Sequence, residues 1–375
     1  MTPTVLLLMP VAFTVSVILT WAVIRIGRRM GAMDSVGAAG HDKSIRDVPN
    51  IGGIAIAWPL IGSLLIGGLL VLTSWDSLVS IVPSLADYEA RLDETVPTVF
   101  AFAIGLLLLH VMGLIDDRRS IGPWLKLLLQ IAIAAAMSIW FDVRLLRMID
   151  EPLGVGPVPS IIITVIWIVV ITNAINFLDN MDGLAGGVAA IACSFLMAAA
   201  ILNEQWFIAA TLAVLIGSLV GFLIFNFPPA RIFMGDGGSL VIGFALAVLV
   251  ARTTFYNPVE DGTGLGSGWY GIFMPLAILA VPLYDLITVS CIRISQGRSP
   301  LVGDQQHYSH RLVARGLSSR GAVIVIWGAT LVTGIAGVSL AHLAPWQAVL
   351  AGVQVLLIVA LLAVLEHASR GARRP

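Results

Sequence analysis

Runs of about 20 apolar residues recur along the whole chain, the length a helix needs to cross the hydrocarbon core of a bilayer. Within that core every backbone N–H and C=O must be paired internally, so repeated runs of this kind dictate membrane-spanning helices. Eleven are read, near 4–24, 52–73, 97–115, 124–141, 158–176, 183–202, 206–226, 238–251, 271–291, 321–341 and 345–366. The expected fold is all-α and polytopic: a single transmembrane domain over 1–375, with a cytoplasmic loop at 293–320. Only 11% of residues are charged and the mean hydropathy is +0.97, whereas an ordinary soluble domain is about 25% charged.

The lysines and arginines orient the bundle. With the N-terminus outside and the C-terminus cytoplasmic, all of the 21 fall on the cytoplasmic side except Arg91, Arg144, Arg147 and Arg252, as the positive-inside rule requires. The first apolar run is not read as a cleavable signal, because Arg25, Arg28 and Arg29 follow it rather than precede it. Net charge is −1 and there is no dense basic tract, so nucleic acid is excluded as a partner and membrane lipid is expected. Cys193 and Cys291 lie in apolar segments without metal-ligand spacing and are read as packing residues. The outer segments 74–96 and 252–270 are read as solvated connectors.

Five polar loops break the apolar pattern, all on the expected cytoplasmic side: PNIGG (49–53), GLIDDRRS (113–120), NAINFLDNMDGLAGG (173–187), FPPARIFMGDGGSL (227–240) and GDQQHYSHRL (303–312). Carboxylates are costly in a bilayer, about 2.5–3.5 kcal/mol each on insertion scales, so their recurrence at one face points to a shared site. Asp116 and Asp117 are adjacent carboxylates suited to a metal or to proton transfer. Asn173, Asn176, Asp179 and Asp182 recur every third residue, which keeps them on adjoining faces of a helix. Asp236 stands among glycines at a helix start, where backbone amides also favour phosphate. His307, His310 and Arg311 suit diphosphate oxygens. Lys43, with Arg46, precedes PNIGG and is placed to meet phosphate or anionic headgroups.

This ordered set resembles the polyprenyl-phosphate N-acetylhexosamine-1-phosphate transferase family. NAINFLDNMDGLAGG is similar to the family's NxxNxxDGxDGLA, and the Asp116–Asp117 pair and FMGDGGSL match closely, over about residues 40–320. The resemblance implies transfer of a sugar 1-phosphate from a UDP-sugar to undecaprenyl phosphate, with release of UMP. It implies Mg²⁺ as cofactor, with Mn²⁺ as a substitute. By the same resemblance Asp236 is the main metal ligand. Asp116 and Asp117 match an acidic pair assigned to the metal or to deprotonating the lipid phosphate. Asn176, Asp179 and Asp182 match positions lining the nucleotide and catalytic region, with Asn173 a turn away. His307, His310 and Arg311 match a loop near the sugar diphosphate. Members often form homodimers. Direct in-line attack is expected, and a covalent aspartyl intermediate stays open.

Two positions depart from the pattern: Ser309 replaces the middle His of HxHHR, and Asn180 stands where Gly is usual. A third, Ser44, stands where His often precedes PxxGG. The muramoyl-pentapeptide branch usually carries three consecutive histidines, which this chain lacks, so an N-acetylglucosamine donor is favoured. Phospho-N-acetylmuramoyl-pentapeptide transfer is one alternative. A secondary transporter is the other; it would place carboxylates near the midplane of two similar halves, and no internal repeat is visible. The DGxxAR signature of CDP-alcohol phosphotransferases is absent.

Overall fold

The structure is a computed structural model and describes residues 1–30, 48–253, 272–300, 306–340 and 343–367. Its helices are α1 (Thr2–Met30), α2 (Ile54–Ile81), α3 (Leu92–Asp116), α4 (Pro123–Trp140), the short α5 (Asp150–Leu153), α6 (Val158–Leu178), α7 (Leu184–Leu202), α8 (Trp206–Asn226), α9 (Asp236–Arg252), α10 (Met274–Ile278), α11 (Ala280–Ser295), α12 (Tyr308–Val313), α13 (Ser319–Ser339) and α14 (Pro345–His367). There is no β-strand among the described residues. Nine helical stretches there are long and apolar enough to cross a membrane. The protein is therefore a multi-pass, all-α membrane protein.

The other two expected spans are helical but shorter. The eighth is α9, with 17 residues, about 25 Å at 1.5 Å per residue. Its residues Gly237 to Ala251 are all buried, so protein rather than lipid sets its length; a helix apolar all round belongs in an interior. The ninth is broken at Leu279 into α10 and α11. Pro282 explains the break: it has no N–H to donate to the carbonyl of Ile278, and its ring crowds that carbonyl. The expected connector over 74–96 is also largely helical. α2 runs on past a kink at Ser74, and a 3₁₀ turn over Pro83–Arg91 leads into α3. Asp93 and Glu94 in the first turn of α3 suit its positive dipole end. Most of the other outer connector, and all of residues 31–47, lie outside the described residues.

Around α9 stand α2, α3, α6 and α7, with α1 and α8 packed together beside them. Contact is close where side chains are small. A Cβ on Gly243 would come within 2.7 Å of the Thr172 backbone, and one on Gly217 within 2.3 Å of the Met9 carbonyl. The outer faces are apolar too: Trp124, Leu128, Ile139 and Trp140 of α4 and Leu350, Leu356 and Leu357 of α14 are exposed, as lipid-facing residues are.

Helix ends gather at one end of the bundle. Pro49, ahead of α2, lies against Gly27 near the end of α1, and its carbonyl accepts the N–H of Phe233 ahead of α9 at 2.8 Å. Gly52 and Gly53 return N–H bonds to the carbonyls of Phe233 and Met234, both at 2.9 Å. An added Cβ on Gly53 would sit 2.3 Å from the Gly238 nitrogen, with no flexible side chain to yield. Gly53→Ala is expected to lower the thermal midpoint of the purified protein by an amount equivalent to about 1–3 kcal/mol, the scale of overpacking. Gly62→Ala in the same helix, where nothing lies within 4 Å, leaves it unchanged. Equal midpoints for the two variants in a detergent melt would contradict this packing.

Candidate active site

The N-terminus of α9 is the meeting point. A helix start carries backbone N–H groups with no partner inside the helix, and here Asp117 supplies one. Its carboxylate accepts the N–H of Asp236 at 2.9 Å and of Gly237 at 3.2 Å, and the side-chain amide of Asn50 at 3.3 Å. Gly235 turns the chain with φ +69°; a Cβ there would lie 2.4 Å from Asp117 Oδ2, so both conformation and space call for glycine. On the other side, a Cβ on Gly113 would fall 2.4 Å from the Asp236 carbonyl carbon. The PNIGG, GLIDD and MGDGG motifs thus form one knot.

Charge is concentrated there. Lys126, in the first turn of α4, donates to Asp116 Oδ2 at 2.9 Å and to Asp236 Oδ2 at 2.8 Å. Asp116 also accepts the Ile121 N–H at 2.9 Å. The other oxygen of Asp236 accepts the Asn176 amide at 2.9 Å, and that amide also reaches Ser239 Oγ at 2.9 Å. Burial, followed by the like charge of Asp236, holds the Asp117 carboxyl well above the usual carboxylate range; its two backbone bonds pull the other way, and the charge of Asp179 adds to the rise. Crowded carboxylates of this kind suit a cation.

Hard oxygen donors fit Mg²⁺, which usually binds through one or two carboxylates plus water and phosphate oxygens. Among the described residues no group of three or more His, Cys, Asp or Glu is arranged to hold a metal ion. The carboxylates gathered here are Asp117 and Asp236, with Asp116 joined to Asp236 through Lys126; two carboxylates with water and phosphate oxygens are a donor set of the kind Mg²⁺ accepts.

The residues of the NAINFLDNMDG loop take different places. Asn176 joins the cluster. Asp179 ends α6, half-buried and near enough to Asp117 to act on it by charge. Asp182 accepts the Ala230 N–H at 3.0 Å. It ties its turn to the 227–235 loop, which Asn226 also holds by accepting from Gly183 N–H and donating to the Ile232 carbonyl. Asn173 turns to α4, donating to Gln130 at 2.5 Å and to the Val169 carbonyl at 2.8 Å.

The histidine loop packs against the end of α6, where the Phe177 ring meets His307. His307 is buried, its Nδ1 2.9 Å from Asp285 Oδ2, while the other Asp285 oxygen accepts the Tyr308 N–H at 2.7 Å. Arg293 is buried with its guanidinium over the Phe177 ring and donates to the Pro300 carbonyl at 2.7 Å. His310 and Arg311 are half-buried in α12, and Arg311 donates to the Gln306 carbonyl. Lys43 lies outside the described residues.

Two participants escaped the sequence reading. Asp285 carried a signal, being a lone carboxylate inside the apolar run PLYDLITV, where an ionisable group implies a role. Lys126 looked like an ordinary inside charge, though Gln130 one turn on shares its face.

A multi-pass helical bundle with a carboxylate–lysine cluster and a His/Arg segment at one end defines a membrane protein built to handle charged groups beside lipid. Residues 99–254 match the profile of glycosyl transferase family 4. Over 345 residues the chain is 31% identical to a probable undecaprenyl-phosphate N-acetylglucosaminyl 1-phosphate transferase of Bacillus subtilis, covering 90% of this chain and 86% of the relative. It is 30% identical over 357 residues to a decaprenyl-phosphate N-acetylglucosaminephosphotransferase of Mycolicibacterium smegmatis, covering 89% and 83%. A phospho-N-acetylmuramoyl-pentapeptide-transferase of Levilactobacillus brevis is 28% identical over 290 residues, covering 74% and 84%. The chain belongs to glycosyl transferase family 4, the family its motifs indicated.

Asp182 gives a test of the local architecture. Asp182→Ala leaves the Ala230 N–H without its acceptor and is expected to destabilise the protein by about 1–3 kcal/mol. Asp182→Asn keeps an acceptor oxygen and recovers most of that loss. Equal melting of the two variants would show that the bond to Ala230 does not hold the loop.

Proposed function

We propose that this protein transfers N-acetylglucosamine 1-phosphate from UDP-N-acetylglucosamine to undecaprenyl phosphate at the cytoplasmic face of a bacterial inner membrane. UMP leaves, and the lipid-linked diphosphate sugar starts a cell-envelope polysaccharide. The observation that carries the reading is the convergence of Asp116, Asp117, Asp236, Asn176 and Lys126 at one end of a lipid-facing bundle. The names of the relatives in Bacillus subtilis and Mycolicibacterium smegmatis support the sugar and the polyprenyl acceptor. The muramoyl-pentapeptide alternative has the weaker support, since the identity to that relative is lower.

The chemistry follows from charge. Donor diphosphate and acceptor phosphate repel, and bound Mg²⁺ supplies the positive charge that offsets them and the UMP leaving group. Asp117 and Asp236 would hold it, with Asp116 beside them. Lys126 is placed to offer its ammonium to phosphate oxygens. His310 and Arg311 would receive the donor from water, and Asp285 holds the His307 ring. A phosphate monoester with a second pKa near 6 is already mostly dianionic at pH 7, so the acceptor needs little help from a base. Both Asp117 oxygens accept backbone N–H bonds, and both Asp116 oxygens are engaged. Nucleophiles are not usually tied down in this way, which supports direct attack of the lipid phosphate on the β-phosphorus over an aspartyl intermediate.

Membranes containing the protein are expected to incorporate labelled N-acetylglucosamine from UDP-N-acetylglucosamine into extractable lipid, to stop when Mg²⁺ is chelated and to resume when it is restored. Asp236→Asn and Asp117→Asn should each lower the rate by about 100-fold or more, the scale of losing an electrostatic stabiliser, with the protein still inserted. Full activity in both variants would remove the metal site. Uptake of sugar without lipid labelling would point to transport.

Orientation is tested separately. In intact cells a cysteine placed at Ser120, beside the cluster, should resist a membrane-impermeant thiol reagent, and one at Asp142, at the opposite end of α4, should react. The reverse pattern would put the site outside.

A further inference from the structure

Asn180 and Ser309 are 129 residues apart in sequence, yet their side chains meet: the Ser309 hydroxyl donates to the Asn180 amide oxygen. The other end of that amide is fixed as well, donating to the Phe177 carbonyl at 2.7 Å. Asn180 therefore bridges the last turn of α6 to α12, with its oxygen aimed at Ser309. A second contact lies alongside, where the Phe177 ring meets His307 edge-on with centroids 5.8 Å apart. Between these two contacts Tyr308 is buried and held by Asp285 through its N–H. His310 and Arg311 follow directly, on the turn that Ser309 locks. Asn180 and Ser309, two of the three positions that break the motif pattern, are thus the two ends of one hydrogen bond.

We propose that Asn180 and Ser309 form a latch that sets the position of His310 and Arg311 against the Asp179–Asp182 turn, and so governs affinity for the nucleotide-sugar donor rather than the rate of transfer. The latch rests on the donor-binding part of the proposed function. It is a positioning pair, because neither residue belongs to the carboxylate–lysine cluster. The Ser309 hydroxyl is buried and Asn180 half-buried, so losing the Asn180 oxygen takes from that hydroxyl its acceptor across the loops, and α12, only six residues long, has little helical structure of its own to hold it in place.

The test is a double-mutant cycle on the full-length protein in nanodiscs, with Asn180→Ala, Ser309→Ala, the double variant and Ser309→Thr. Equilibrium binding of UDP-N-acetylglucosamine is measured apart from lipid labelling. Each alanine variant is expected to weaken binding by about 5-fold, the scale of one hydrogen bond. The double variant should be no weaker than the worse single, Ser309→Thr should bind as the parent does, and kcat should stay within about 2-fold. Unchanged affinity in the singles, losses that multiply in the double variant, or a fall in kcat at constant affinity would each overturn the latch, as would a parent protein that binds no UDP-N-acetylglucosamine. A parent that binds the donor but labels no lipid would refute the transferase reading alone, and the binding cycle would still decide the latch.

Discussion

The carboxylate of Asp117 on the first amides of α9 is the contact on which the remaining geometry depends. A helix start buried in an apolar bundle must find acceptors for its free N–H groups. Bonds of this kind contribute about 0.5–1.5 kcal/mol each. Because the acceptor comes from the end of α3, α9 can begin only where α3 stops. Glycines at 53, 113, 235 and 238 let the three backbones come this close. Asp236 is then presented to Lys126 and Asn176 by the same turn that Asp117 caps.

That arrangement makes the cluster tolerable beside lipid. α4 is among the least buried spans, but Lys126 and Gln130 point inward from it. Lys126 offsets two carboxylates at once, and Gln130 satisfies Asn173 deeper in the bundle. Asp117 is the group most crowded by charge: Asp236 and Asp179 are negative neighbours, and its compensation comes from two backbone N–H groups and the Asn50 amide rather than from a cation. A cation bound between Asp117 and Asp236 would relieve that crowding.

Much of this was legible in the sequence, for identifiable reasons. Apolar runs of membrane length gave the helices and most of their ends, because no other backbone solution exists in lipid. The short α9 and the break at Leu279 were less visible, since a helix surrounded by protein is free of the bilayer's length requirement and a proline near a helix start leaves the hydropathy unchanged. Paired carboxylates flagged Asp116, Asp117 and Asp236 as neighbours. Nothing in the spacing showed that Asp117 would spend both oxygens on amides 119 and 120 residues away, or that Asn173 would face Gln130 while Asn176 faces Asp236. One turn of helix separates those two asparagines, and only the packing of α4 and α9 on either side of α6 decides which partner each one meets. Lys126 was hidden by isolation, a single charge with no local partner to form a motif, whereas the isolation of Asp285 inside an apolar run was itself its signal.

The distribution of polarity through the bundle bears on the choice between a transporter and a transferase. A transporter needs polar groups along a path open in turn to both aqueous phases. Here the central helix, past Ser239, reads LVIGFALAVLVA from Leu240 to Ala251, without one polar side chain, and every one of those residues is buried. The carboxylates, the lysine and the histidine segment all lie at the end where α9 begins. At the far end the charged groups form a separate surface network in which Arg144 joins Asp142 and Asp150. Polar groups confined to one end suit a reaction whose two phosphates arrive at a single interface, one by diffusion in water and the other along the membrane plane. The long isoprenoid tail of such an acceptor need never enter the bundle, since the exposed apolar faces of the outer helices already give it a surface to lie against.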